Sequence, residues 1–348
     1  MSQLLERWLE FERNFDGAPL IAWTRQHAEI PIFVTALYLL FIFTVPEILS
    51  KPLGLKTAFA FWNLLLSVFS FLGMTRTVPH LVTALGEHGF RYTVCYDPVQ
   101  WYSCGPAGLW MALFIFSKIP ELMDTVFLVL RKKQVIFLHW FHHVTVLLYC
   151  WHAFHTTVAP GLWFASMNYS VHTIMYFYFF MTNVGFYKAM QPLAPFITTI
   201  QIIQMVGGIV CLTKVAYEQL YMGEVKTCDV NPANWKLGLA MYLSYFFLFA
   251  VLFAQKYYFS PKPRTGTQAT GQPSCPPSCP SSFEKTDASG FFHPRSQSGT
   301  DLIQSKEDIK AQILALKQRQ EQLEKMLSLG NTKAGKEASN GKRPQKED

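Results

Sequence analysis

Seven apolar runs, at roughly 32–49, 58–74, 108–130, 136–154, 161–182, 193–216 and 236–258, dominate this chain. A helix needs about 20 apolar residues to cross the hydrocarbon core of a bilayer. No water is present there to satisfy backbone N–H and C=O groups, so spanning segments must close their hydrogen bonds internally. The expected fold is therefore an all-α integral membrane bundle of seven transmembrane helices. Charged residues make up 15% of the 348, against about 25% in soluble domains. Much of that charge lies before residue 30 or after residue 255, as expected for a membrane domain with polar ends.

Residues 1–30 carry Glu6, Arg7, Glu10, Glu12, Arg13, Asp16 and Arg25, and no apolar run close to the start reads as a signal peptide. The first spanning helix would target the chain itself. Lys51, Lys56, the triplet Arg131-Lys132-Lys133, Lys188 and the basic tail fall on one side of a seven-span topology; Arg76, Arg91 and Lys226 fall on the other. The positive-inside rule then puts the C-terminus in the cytosol and the N-terminus in the lumen. The expected order is a luminal segment at 1–30, the helical domain at 31–258, a Pro/Ser-rich disordered linker at 259–300, a helix at 301–329 and a disordered tail at 330–348. Leu302, Ile309, Leu316 and Leu323 recur every seven residues, which fits a weak coiled coil or an amphipathic helix. The net charge of +7 owes much to this tail, and no nucleic-acid partner is expected.

Ionisable side chains inside spans are costly and point to function. The third run holds Lys118, Glu121 and Asp124; the fourth holds His139, His142 and His143; the fifth holds Asn168 and His172; the sixth holds Thr198, Gln201 and Gln204. Counting from the cytosolic helix ends, Asp124 lies roughly 10 Å deep, His139 about 6 Å, His143 about 12 Å, His172 about 15 Å and Gln201 about 12 Å. Four helices of alternating direction thus bring polar groups to one layer, which is more than interhelical hydrogen bonding asks for. His139 and His143 share a face with His142 beside them. Such a cluster suits metal binding, acid–base work or nucleophilic attack on a thioester. The basic triplet with Lys118, Lys188 and Lys256 suits a phosphorylated substrate with an apolar tail. Asn168-Tyr-Ser170 matches a glycosylation pattern but falls inside a span.

Lys118-Ile-Pro-Glu-Leu-Met-Asp124-Thr followed by Leu130-Arg-Lys-Lys133, the box His139-Trp-Phe-His142-His143, Asn168 to Tyr178, and Thr198-Thr-Ile-Gln201-Ile-Ile-Gln204 resemble the four ordered motifs of the fatty acid elongases. The wording around the box looks most like the branch extending saturated and monounsaturated chains near sixteen carbons. The resemblance implies an endoplasmic reticulum enzyme, with its helices around an acyl tunnel, that condenses malonyl-CoA with acyl-CoA to 3-oxoacyl-CoA. It needs no cofactor and no metal. His142 would carry the acyl group. His139 and His172 would handle protons or polarise the carbonyl, with His143 completing the cluster. Lys118, Arg131, Lys133, Gln134, Tyr178, Thr198, Gln201 and Lys256 would contact the CoA-linked substrate, and Asp124, Asn168 and Gln204 join them as candidates. The reductase and dehydratase of the elongation cycle, and a second copy of the chain, are the protein partners such an enzyme could engage. Phe179 departs from the tyrosine common there in the family.

Two other classes share parts of the pattern. A membrane di-iron desaturase or hydroxylase also uses histidine boxes but needs more imidazoles than these. A seven-helix receptor has the span count but no need of a charged layer. Finally, the topology places Cys95 and Cys104 on the same luminal side as Cys228, where disulfides persist. A Cys95–Cys228 bond is expected, in agreement with the resemblance, with Cys104 the less favoured partner.

Overall fold

The computed structural model describes residues 3–221, 228 and 230–258. The expected linker, tail helix and terminal tail, and Lys226, lie outside the described residues. Among those described, regular structure is helical: α1 (Gln3–Arg13), α2 (Ala18–Gln26), α3 (Glu29–Ile48), α4 (Lys56–Cys95), α5 (Pro98–Trp101), α6 (Gly105–Ser117), α7 (Met123–Leu130), α8 (Phe137–His155), α9 (Gly161–Val184), α10 (Tyr187–Met190), α11 (Ala194–Tyr221) and α12 (Pro232–Tyr257). Four stretches are long and apolar enough to cross a membrane: Glu29–Ile48, Lys56–Cys95, Tyr187–Tyr221 and Pro232–Tyr257. Their outward faces expose large apolar side chains such as Phe33, Leu40, Phe61, Val68, Ile203, Val210 and Phe247. Rows of this kind are unfavourable in water and natural against lipid. The described residues form an all-helical, multi-pass membrane protein.

Four expected runs differ from simple spans. The run at 108–130 is not one helix. α6 ends at Ser117, a 3-10 turn covers Pro120–Leu122, and α7 restarts at Met123. Pro120 lacks an N–H and its ring clashes with the preceding turn, so an unbroken α-helix is disfavoured there. α8 and α9 are regular but carry the histidines and Asn168, which lower their apolarity. The run at 58–74 is the opposite case, because α4 continues for 40 residues. A straight helix of that length would measure about 60 Å, twice the hydrocarbon thickness. It does not stay straight: Gly89 takes φ +79°, a left-handed value that glycine tolerates best, and the last turn redirects to Cys95.

α4 packs along α9, α11 along α12, and α8 meets α2, α3, α6 and α12. Tyr169 of α9 sits against Phe69, Trp110 and Phe114 and donates its hydroxyl to Trp110 O at 2.9 Å. A second core joins Tyr149, Phe164, Leu212, Tyr242 and Tyr245, and a third joins Tyr38, Ile42, Leu122, Val129 and Leu147. Cys95 and Cys228 are joined in a disulfide with Cα atoms 4.3 Å apart, tying the end of α4 to the segment before α12. Cys104, Cys150 and Cys211 are free thiols.

Candidate active site

The break between α6 and α7 creates the first half of the site. Lys118 and Glu121 are 2% and 4% exposed. The Lys118 ammonium donates to both Glu121 oxygens at 2.8 and 2.9 Å, and Ser117 Oγ adds a third bond at 2.7 Å. Lys118 also reaches Asn168 Oδ1 at 3.4 Å and lies over the Phe114 ring. An ammonium can only donate, so this contact fixes the Asn168 amide with its oxygen toward Lys118. The amide NH2 then donates to His172 Nε2 at 3.0 Å. The order Glu121, Lys118, Asn168, His172 is a continuous buried relay that sets the tautomer of His172, leaving its proton on Nδ1.

α8 supplies the second half. His139 Nε2 pairs with Thr125 Oγ1 at 2.8 Å, and Thr125 pairs with Tyr38 Oη at 2.9 Å. His143 is buried, its ring 4.6 Å from that of His139 and 6.5 Å from Tyr38. His142 differs from both. Among the described residues no hydrogen bond ties its imidazole or that of His143, but of the three only His142 lines a cavity; its ring lies 5.6 Å from His143 and 4.9 Å from Tyr245. It faces a cavity of about 60 Å³ that follows one side of α8 through Val146, Tyr149, Cys150, Ala153 and Phe154. Asn168 and Gln204 join that lining from α9 and α11. An unengaged imidazole at the head of an apolar cavity can act as a nucleophile. His139, held by Thr125, and the relay to His172 can hold or pass protons.

The remaining sequence candidates sit elsewhere. Asp124 has both oxygens occupied, by Trp62 Nε1 and Tyr176 Oη at 2.7 Å each, and so braces α4, α7 and α9. Arg131 lies over Phe59, Lys133 is half-buried and Gln134 is exposed, all in the α7–α8 turn. Gln201 Nε2 meets Met175 Sδ at 3.3 Å, Thr198 bonds back to Ala194 O, Tyr178 is buried, and Lys256 lies over Tyr257 in the last turn of α12. Thr125, Tyr38 and Tyr245 were missed by the sequence reading, because hydroxyls on apolar helices carry no local signal. Among the described residues no group of three or more His, Cys, Asp or Glu is arranged to hold a metal ion.

Residues 23–265, well over half of the chain, match the ELO family, described as the GNS1/SUR4 family. The chain belongs to this family. It is 46% identical over 255 residues to very long chain fatty acid elongase 4 of Trypanosoma cruzi, covering 72% of this chain and 88% of the relative. It is 41% identical over 271 residues to fatty acid elongase 3 of Trypanosoma brucei brucei (70% and 89%) and 38% identical over 275 residues to fatty acid elongase 1 of the same organism (73% and 90%). As an ELO protein it is an acyltransferase, the condensing enzyme of fatty acid elongation.

Proposed function

We propose that this ELO protein joins malonyl-CoA to a long-chain acyl-CoA through an acyl-imidazole on His142. The ring nitrogen of His142 attacks the thioester carbonyl, the C–S bond breaks, and CoA leaves as thiol. Malonyl-CoA then loses carbon dioxide, and the resulting carbanion attacks the acyl carbonyl. The C–N bond to His142 breaks, giving 3-oxoacyl-CoA. His139, held by Thr125, and His172, held by Asn168, place protons on either side of this step, with His143 packed against His139.

The observation that carries the reading is the free imidazole of His142 at the head of the cavity. Along α8, His142 to Phe154 spans about 18 Å. A carbon zigzag with bonds of about 1.5 Å advances roughly 1.25 Å per carbon. At full extension a run of that length matches an acyl chain of roughly 14 to 15 carbons, close to the branch acting near sixteen. Arg131, Lys133, Gln134, Lys188 and Lys256, with Tyr178, Thr198 and Gln201, form the mouth for the CoA phosphates. The reading includes seven spans with α6 and α7 sharing one, the N-terminus in the lumen, and residence in the endoplasmic reticulum beside the reductase and dehydratase of the cycle. Intact-mass measurement after treatment with acyl-CoA tests it: the native chain gains one acyl group and His142→Ala gains none. An unchanged adduct on His142→Ala would move the nucleophile elsewhere, first to His172.

A further inference from the structure

We propose that α2, a helix outside the apolar runs, forms the floor of the acyl cavity, and that Ile21 sets the longest chain the enzyme completes. This rests on the acyl-cavity reading above. Ile21 is 8% exposed and lines the cavity, on a nine-residue helix too short to cross a bilayer. Ile21 lies just before residue 23, where the match to the ELO family begins, while Trp23 to Gln26 of the same helix lie within it.

The position of α2 is fixed by bonds to the far end of α8. Trp151 Nε1 donates to Thr24 O at 3.0 Å, and Arg25 donates to His155 O at 3.0 Å. Ile21 therefore stands at the level of the last turn of α8, opposite His142. The segment before α2 is anchored as firmly. Gly17 N donates to Ser103 O at 3.1 Å. Glu12, 2% exposed, accepts from Arg76 Nε at 3.0 Å and Trp110 Nε1 at 2.8 Å. A floor held by charge-assisted and backbone hydrogen bonds does not sink when one apolar side chain is trimmed. The removed volume stays as cavity.

Ile21→Ala removes three carbon atoms, room for about one two-carbon unit. A single methylene that does not fit an apolar pocket is discriminated about 10–200-fold, so the length limit is sharp and its displacement visible. The test uses the purified full chain, malonyl-CoA and a homologous series of saturated acyl-CoAs, with product lengths read by mass. Ile21→Ala is expected to raise the longest substrate used by about one two-carbon unit, its relative kcat/KM rising about tenfold or more. Ile21→Trp is expected to lower the limit by at least one unit. Ile21→Val, one carbon smaller, makes the same comparison if alanine is poorly folded. An unchanged limit in the variants, with normal turnover of short substrates, overturns the floor and leaves the condensing mechanism standing. Absence of condensation by the unaltered chain overturns the mechanism instead.

Discussion

Replacing Lys118 with methionine tests whether the buried ion pair holds the site together. The ammonium makes two bonds to Glu121, at 2.8 and 2.9 Å, in a place where both residues are nearly sealed from solvent. Without it the Glu121 carboxylate keeps only the Ser117 hydroxyl. Removing one partner of a buried pair typically costs about 3–5 kcal/mol, because the survivor remains desolvated and unpaired. At about 2–4 °C per kcal/mol for a domain of this size, Lys118→Met should melt roughly 6–20 °C lower in detergent. Replacing both partners removes the desolvation cost along with the attraction. The double variant Lys118→Met/Glu121→Leu should therefore return to within about 1 kcal/mol of the native protein. Condensation should not return, because Asn168 has lost the ammonium that orients its amide toward His172. Thermal melts followed by malonyl-CoA-dependent release of carbon dioxide separate the two effects. A single variant that melts like the native protein would refute the reasoning. So would a double variant as unstable as the single one, or one that recovers full turnover.

Two further predictions concern the frame. A Cβ on Gly73 would lie 2.6 Å from both Cε atoms of Tyr169, whose ring is 1% exposed and cannot retreat, so Gly73→Ala should cost about 1–3 kcal/mol and Gly73→Val more; an unchanged melting temperature contradicts this. The Cys95–Cys228 bond closes a sequence separation of 133 residues, so Cys95→Ser, Cys228→Ser and the double variant should each lose the same amount, about 2–5 kcal/mol. Additive losses in the double variant would mean that the two thiols act separately.

The sequence reading locates the helices well and the site unevenly, for physical reasons that individual residues make clear. Length and apolarity mark α3, α11 and α12 because their outer faces meet lipid and carry little else. The same signal understates α4, since the redirection at Gly89 depends on one residue's backbone freedom and not on a composition change. The sequence places Lys118 and Glu121 in one apolar run without pairing them. The Pro120 break and the contact with Asn168 show that their partnership belongs to a turn and extends to a second helix. His139, His142 and His143 are equivalent as letters. They become different when Thr125 claims one and a cavity opens before another, and Thr125 is invisible until α7 and α8 are packed.

The segments that fall short of simple spans are α6 and α7, divided at Pro120, and α8 and α9, whose polar side chains lower their apolarity; in or beside them lie Lys118, Glu121, three clustered histidines, Asn168 and His172. Those residues cannot face lipid at an acceptable cost, so each must face another helix or the cavity. The apolar helices supply that shelter: α4 covers α9 and α12 covers α8. Tyr245 of α12 pairs with Thr145 of α8 and places its ring beside His142. The seal around the reacting imidazole is therefore built by a helix that contributes none of the histidines. Opening that seal, as with Tyr245→Ala, should admit water to the acyl-imidazole. Its expected signature is a raised ratio of free fatty acid to 3-oxoacyl-CoA, with His142 still acylated. A ratio equal to that of the native enzyme would mean that α12 only packs against the site and does not keep it dry.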